Sequence, residues 1–305
     1  MSALRYPGGK TRAIKILDTY LLSDITELYS PFFGGGSFEL FVQNKYNIQI
    51  FANDKFEPLF NYWNCVKLDK LKIEQEINKL HPITKDIFNK CKINLKDMTC
   101  NTFIRAASYF AINRSSFSGS TTSGGFSEES GNKRFTSSSI VRMKATDLNN
   151  VTLSNLDFVD FLKNIPKEKF IFLDPPYYLR KGSKLYGNKG DLHENFDHAK
   201  LFSCINKESN FILCYNDCEY IRNLYKDYTI VSASWAYGMN TTKKSSEIFI
   251  MPLKFTQKLQ EQKKTCDNTY KKPIKKERIN KIVVRDFEDS SCDESVGTKQ
   301  NEDIG

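Results

Sequence analysis

Asp174-Pro175-Pro176-Tyr177-Tyr178 is the stretch whose residue types could do the most specific chemistry. It follows Lys169-Phe170-Ile171-Phe172-Leu173, a run with few polar positions that reads as a buried strand. The prolines stop that strand, because proline has no N–H to give a sheet and restricts the residue before it. A carboxylate, a proline carbonyl and an aromatic ring are thereby held at the carboxyl end of a strand, where open α/β sheets bind ligands. Asp174 and the Pro175 carbonyl are two hydrogen-bond acceptors at nearly one place. They suit an –NH2 group conjugated to a ring, a poor nucleophile because its lone pair is delocalised. Two acceptors on its hydrogens draw the nitrogen toward tetrahedral geometry and free the lone pair. Tyr177 offers a flat face on which the ring can stack. An ordinary turn at a strand end would contain the same residues, so the rest of the chain has to decide.

A second stretch carries binding chemistry. Ser30-Pro31-Phe32-Phe33-Gly34-Gly35-Gly36-Ser37 lies between a short strand at 27–29 and a helix from 38 to about 44. Glycines let the backbone come close to a ligand, and the helix N-terminus points its N–H groups there. The next strand, 48–52, ends at Asn53-Asp54, and Asp54 follows Gly36 by eighteen residues. That is near the spacing, about 20 residues, at which an acid meets ribose hydroxyls in dinucleotide folds. The turn is not G-x-G-x-x-G, and a tight strand–helix connection explains it equally well when taken alone.

The elements that must position these residues can be read in order. Pro7-Gly8-Gly9 forms a turn into an amphipathic helix over 11–22, with Ile14, Leu17 and Leu21 on one face. From 57 to 101 the pattern is helical. Asn101 can cap an apolar helix through Phe103, Ala107 and Phe110, which ends at Asn113-Arg114-Ser115-Ser116-Phe117-Ser118-Gly119. Residues 120–139 are rich in Ser, Thr and Gly, with Phe117, Phe126 and Phe135 interleaved and Lys133 and Arg134 near the end. They read as a flexible surface loop, or as a polar hairpin or loop that touches a nucleic acid. Their length counts against a mere linker. The α/β pattern then resumes, with strands at 151–153, before Asp174, and at 210–215. Two last strands, 228–233 and 247–252, flank Tyr237-Gly238-Met239-Asn240 and Lys243-Lys244. With no helix between them, they suggest an antiparallel hairpin at one sheet edge. After Phe255, lysine pairs and then an acidic end read as a disordered tail.

Composition sets the frame. With 305 residues, 40% of them hydrophobic, the chain can build a sizeable core, read as one large domain with an insertion. A net charge of +9 and a pI near 9.0 favour a polyanionic partner. Eight scattered cysteines with no C-x-x-C pair argue against a zinc site and for reduced thiols inside a cell. No signal peptide or long apolar run directs the chain to a membrane.

In this order the motifs resemble the Dam-type, alpha-group DNA adenine-N6 methyltransferases. Tyr6 to Lys10 is similar to that family's N-terminal cofactor motif, and Phe32-Phe33-Gly34-Gly35-Gly36 to its F-x-G-x-G loop. Asp157-Phe158 resembles the pair that meets the cofactor's adenine, and Asp174-Pro175-Pro176-Tyr177 the D-P-P-Y catalytic motif. Asn113-Arg114 with Phe117 and Gly119 resembles the start of the target-recognition hairpin. The resemblance covers roughly residues 3–253. One departure stands out: members usually carry an acid where Ser30 stands, before Pro31.

The resemblance implies an α/β fold, a Rossmann-like, mostly parallel sheet with an antiparallel edge hairpin, as in class I S-adenosylmethionine-dependent methyltransferases. A mostly helical DNA-recognition insertion is added. The catalytic domain would span 1–62 and 148–255, the insertion 63–147, and a disordered tail 256–305. S-adenosylmethionine would meet Tyr6, Lys10, Phe32, Phe33, Gly34, Gly36, Asp54, Asp157, Phe158 and Asp174. Asp174, Pro175, Pro176 and Tyr177 would act on the N6 amine of an adenine flipped from double-stranded DNA. Asn113, Arg114, Phe117, Gly119, Lys133, Arg134, Asn240, Lys243 and Lys244 would contact the DNA. No metal is needed, because the leaving thioether is neutral. The expected enzyme is an intracellular monomer, with a cognate restriction endonuclease as a candidate partner. Other readings stay open. A cytosine-N4 methyltransferase more often has Ser where Asp174 stands. A protein-glutamine methyltransferase favours Asn there and lacks the insertion. An inactive DNA-binding module is disfavoured by the intact Asp174.

Overall fold

The computed structural model describes residues 2–6, 8–117, 121–178, 196–205, 207–233 and 247–270. Among them, seven strands form one sheet: β1 (Glu27–Ser30), β2 (Gln49–Asn53), β3 (Val151–Ser154), β4 (Phe170–Leu173), β5 (Asn210–Asn216), β6 (Thr229–Ala233) and β7 (Glu247–Met251). Their order is β3-β2-β1-β4-β5-β7-β6, and only β7 runs antiparallel to its neighbours. β4 and β7 are buried throughout, as is β5 up to its last residue, whereas β3 and β6 stay partly exposed at the edges. Continuous apolar runs such as Phe170 to Leu173 therefore belong to strands covered on both faces. The expected final hairpin is present, with β7 on its inner side, wedged between β5 and β6.

The strand order positions the site. From β1 the chain works outward through β2 to β3, then returns to place β4 on the other side of β1. Leu28 pairs with Phe170 and Tyr29 with Ile171, so the carboxyl ends of β1 and β4 lie side by side. Such a reversal opens a crevice above the strand ends. The glycine-rich turn after β1 and Asp174 after β4 both face it.

Helices cover both faces. α1 (Ile14–Asp18) follows a 3-10 turn, and together they replace the single helix expected over 11–22. α2 (Ser37–Tyr46) follows β1, and α3 (Glu57–Leu68) follows β2. Between α3 and β3 come α4 (Lys70–Asn78), α5 (Lys85–Lys96), α6 (Thr102–Ser115), α7 (Glu128–Arg134) and α8 (Ser137–Lys144). α9 (Phe158–Lys163), α10 (His198–Cys204), α11 (Glu219–Leu224) and α12 (Leu253–Tyr270) are the remaining helices among the described residues. α6 is the hub of the helical segment. Asn101 caps it by accepting the Phe103 N–H at 2.9 Å, and every residue from Arg105 to Ser115 is buried against its neighbours. One hydrophobic cluster runs from Leu28 and Ile50 on the sheet through Tyr62 and Trp63 to Phe110, Phe135 and Met143. A second, around Tyr29, Leu173 and Leu213, covers the other face. No helix among the described residues is long and apolar enough to cross a membrane.

Two stretches hold more helix than expected. In 120–139, Ser116 and Phe126 form an antiparallel bridge, and Phe117 donates its N–H to Gly125 O at 2.9 Å, which makes a short hairpin. Beyond it the polar sequence is helical. Ser127 caps α7, with Glu128 and Glu129 in the first turn and Lys133 and Arg134 in the last, as the helix dipole favours. Thr136 and Ser139 form a capping box for α8, whose Ile140 and Met143 are buried. The chain after Phe255, expected as disordered, continues as α12 to Tyr270. Phe255 and Leu259, one turn apart, bury against the core, and the Phe255 ring lies 5.8 Å from that of Phe170. Gln262 accepts the Ser23 N–H at 2.7 Å. A low apolar content hides such a helix, because one narrow stripe is enough to dock it.

Candidate active site

The turn after β1 is shaped by its glycines. Gly34 and Gly36 have φ of +52° and +63°, where an L side chain is strained. A Cβ on Gly34 would come within 2.9 Å of the Tyr6 ring, and one on Gly36 within 2.5 Å of the Phe33 ring. The turn is held from two sides. Gly34 donates its N–H to Asp54 Oδ2, and Gly34 O accepts the Trp63 indole N–H, both at 2.9 Å. Asp54 Oδ1 accepts the Phe56 N–H at 2.9 Å. Both Asp54 oxygens thus brace backbone, and burial pushes its carboxyl up to about 6. Under the turn, buried Ser30 donates its hydroxyl to Glu39 Oε1 at 2.7 Å.

Beside it stands the Asp174 constellation. Lys10, buried at 2% exposure, donates to Asp174 Oδ1 at 2.6 Å and to Gly8 O at 2.8 Å. The same ammonium lies 3.8 Å from Glu247 Oε2 and 5.1 Å from the centre of the Tyr177 ring. Tyr177 donates its hydroxyl to Glu247 Oε2 at 2.6 Å, which fixes the ring's tilt. Burial disfavours the Lys10 charge, but Asp174 and Glu247 outweigh it and hold its pKa above the ordinary value. Burial pushes the Asp174 carboxyl up to about 6, against the pull of Lys10. Buried charges persist only with such partners.

On the far side, Asp157 caps α9 through the Val159 N–H at 3.0 Å and pairs with Lys55 at 2.7 Å. Against partial burial, these two partners hold its carboxyl below the usual range. Phe32, Phe158 and Phe196 form an aromatic trio with ring centres 5.4–5.7 Å apart.

All of these groups except Trp63, Ser30 and Glu247 line one cavity of about 410 Å³, a size typical of small-molecule sites. Every residue expected at the cofactor or at the reacting amine lies on its wall: Tyr6, Lys10, Phe32, Phe33, Gly34, Gly36, Asp54, Asp157, Phe158, Asp174, Pro175, Pro176 and Tyr177. Glu39, Lys55 and Phe196 share the wall, and Glu247 stands behind it, none of them foreshadowed by a motif. A glutamate opening a strand carries no local signal. Only the β5–β7 pairing brings Glu247 to Tyr177.

The residues expected to touch DNA are dispersed. Asn113 and Arg114 are buried rather than presented at the surface, because they end the enclosed α6. Asn113 exchanges two hydrogen bonds with the Arg5 backbone, at 2.9 and 2.6 Å. Arg114 lies over the Phe110 ring, and burial, then Arg142, lower its pKa to about 10. Phe117, by contrast, is 69% exposed on the hairpin. Lys133 is exposed and pairs with Glu129 at 2.8 Å, and Arg134 donates to Ser130 Oγ at 3.0 Å. Gly119, Asn240, Lys243 and Lys244 lie outside the described residues.

A carboxylate and a carbonyl at a strand end, beside a glycine turn in a shared cavity, can bind a nucleotide-like group next to an amine. No match is found among curated proteins. The family model of the D12 class of N6 adenine-specific DNA methyltransferases matches residues 6–239, from the segment that carries Lys10 to beyond β6, and the chain belongs to that family.

Proposed function

We propose that the protein transfers a methyl group from S-adenosylmethionine to the N6 amine of an adenine flipped out of duplex DNA. The observation that carries this reading is the place of Asp174, at the end of β4 and in the same cavity as the turn of residues 34–36. The wall suits the donor. Residues 34 and 36 leave no room for side chains, so backbone can lie against a ligand. The trio of Phe32, Phe158 and Phe196 offers flat faces to an adenine ring. Asp54 and Asp157 keep spare lone pairs for ribose hydroxyls and ring amines. When bound, S-adenosylmethionine supplies an electrophilic methyl on sulfonium.

The chain's own residues do the rest. Asp174 and the Pro175 carbonyl accept the two N–H bonds of the target amine and free its lone pair. Lys10 holds Asp174 Oδ1 in the present structure, which leaves Oδ2 for the amine. A shift of Lys10 toward Glu247, 3.8 Å away, releases Oδ1 and keeps the ammonium paired. Two carboxyl groups then face one ammonium, which complements positive charge developing on the amine nitrogen. Tyr177, anchored by Glu247, presents its ring to the base. The base must leave the stack, since its amine cannot reach a methyl donor inside the duplex, at a cost of a few kcal/mol. Phe117, Lys133 and Arg134, within residues 63–147, are the described residues that this reading assigns to DNA contact.

The test is methyl transfer from labelled S-adenosylmethionine to duplex DNA, followed by nucleoside analysis. N6-methyladenine is expected. Label in N4-methylcytosine, or none in DNA, would overturn the reading.

A further inference from the structure

Glu39 is a charged side chain in an unfavourable place. It sits in the first turn of α2, is 2% exposed and lines the cavity. Among the described residues no Lys, Arg or His pairs with it. Its one side-chain partner there is Ser30, whose hydroxyl donates to Oε1 at 2.7 Å. Burial pushes its carboxyl up to about 7; Asp174 adds to the rise and Lys10 opposes it. An acid in a first helical turn complements the helix dipole, but an exposed one does so without the cost of burial. A buried carboxylate with a neutral partner, in the wall of a cavity, is matched to a cation that the cavity takes up.

Resting on the methyl-donor reading above, we propose that Glu39 binds the α-ammonium of the donor's amino-acid part, with Ser30 orienting the carboxylate. An ammonium has three N–H donors for oxygen acceptors, whereas a sulfonium has none. Asp174 and Tyr177 already claim the end of the cavity where the methyl must meet the amine. Glu39 lies on the cavity wall where the turn of residues 34–36 enters α2. The hydroxyl of Ser30 explains how the pair works: a second carboxylate at position 30 would repel Glu39, while a serine donates to it.

The test is calorimetric binding of three ligands to the full chain: S-adenosylmethionine, S-adenosylhomocysteine and 5′-methylthioadenosine. The first two carry the ammonium, only the first carries the sulfonium, and the third lacks the amino-acid part. Glu39→Gln keeps the size of the side chain and its bond to Ser30. It should weaken the first two ligands by about 10- to 100-fold, as expected for a hydrogen bond to a charged group. The third should be unchanged, and so should the melting temperature of the free protein. The double variant Ser30→Asp with Glu39→Ala, which returns the carboxylate to β1, should recover most of the lost affinity. Equal weakening of all three ligands, or of none, would overturn the proposal. Weakening of S-adenosylmethionine alone would place Glu39 at the sulfonium and overturn the ammonium assignment. A wild-type protein that binds none of the three would overturn the donor reading itself, and this one with it.

Discussion

Asp174 is asked to do two things that conflict. Loss of solvent around it raises its pKa to about 6, while the proposed reaction needs it ionised as an acceptor. Lys10 at 2.6 Å favours the charged form but holds one of its two oxygens, Oδ1, and leaves only Oδ2 for an amine. Glu247 resolves the conflict, because it gives Lys10 a second carboxylate within one side-chain movement. Replacing Asp174 by Ala should lower the single-turnover methylation rate by about 10²- to 10³-fold, the usual cost of losing one such acceptor. Binding of S-adenosylmethionine should change far less, and a rate within severalfold of wild type would remove Asp174 from the reaction. The pH dependence follows in sign. A protonated Asp174 donates where it must accept, so the rate at saturating ligands should fall as pH drops through about 6 and level off above it. A rate that stays flat across this range, from mildly acidic to mildly basic solution, would mean that the carboxylate does not titrate in the step measured.

At the level of elements, α12 shows how a helix of polar composition becomes part of a fold. Its sequence is mostly lysine, glutamine and threonine, and it docks through Phe255 and Leu259. Fully buried beside Phe170, Phe255 should cost about 3–5 kcal/mol when replaced by Ala. Urea denaturation reads this as a lower midpoint at unchanged slope. A change within about 0.5 kcal/mol, typical of a surface position, would mean that α12 is not docked in solution. The hairpin at Ser116 and Phe126 shows the reverse case. Its polar residues leave Phe117 as an exposed ring beside a single bridge that follows α6.

For the whole molecule, net charge bears on the kind of partner it meets. The chain carries +9, and exposed cations lie both on the cavity wall, as Lys55 and Lys200 do, and on the helical segment between β2 and β3, as Lys133 does. Replacing Lys133 and Arg134 together by Ala should weaken duplex binding on all sequences alike. It should also reduce the slope of log affinity against log salt by about two, roughly one for each phosphate that is no longer neutralised. Binding measured across a salt series checks this. An unchanged slope would move the phosphate contacts elsewhere, and a changed methylation motif would make one of the pair a base reader.

Local chemistry was legible without the fold. Asp174 to Tyr177, the glycines of residues 34–36 and Asp157-Phe158 announce themselves, because proline stops a strand and glycine fits a turn at positive φ without strain. The α/β alternation likewise follows from runs such as Phe170 to Leu173, whose unbroken apolar character reports burial on both faces. Other features depend on contacts that the local pattern does not reveal, some of them between residues far apart in the chain. Glu247 reaches Tyr177 only because β7 inserts between β5 and β6. Glu39 meets Ser30 only because α2 folds back over the end of β1. Asn113 and Arg114 read as an exposed pair at a helix end, but α6 is surrounded by its neighbours, so packing turned them inward. Burial is a property of the assembled helices and sheet, and for these residues it was the tertiary structure that decided which side chains face the cavity and which are sealed from it.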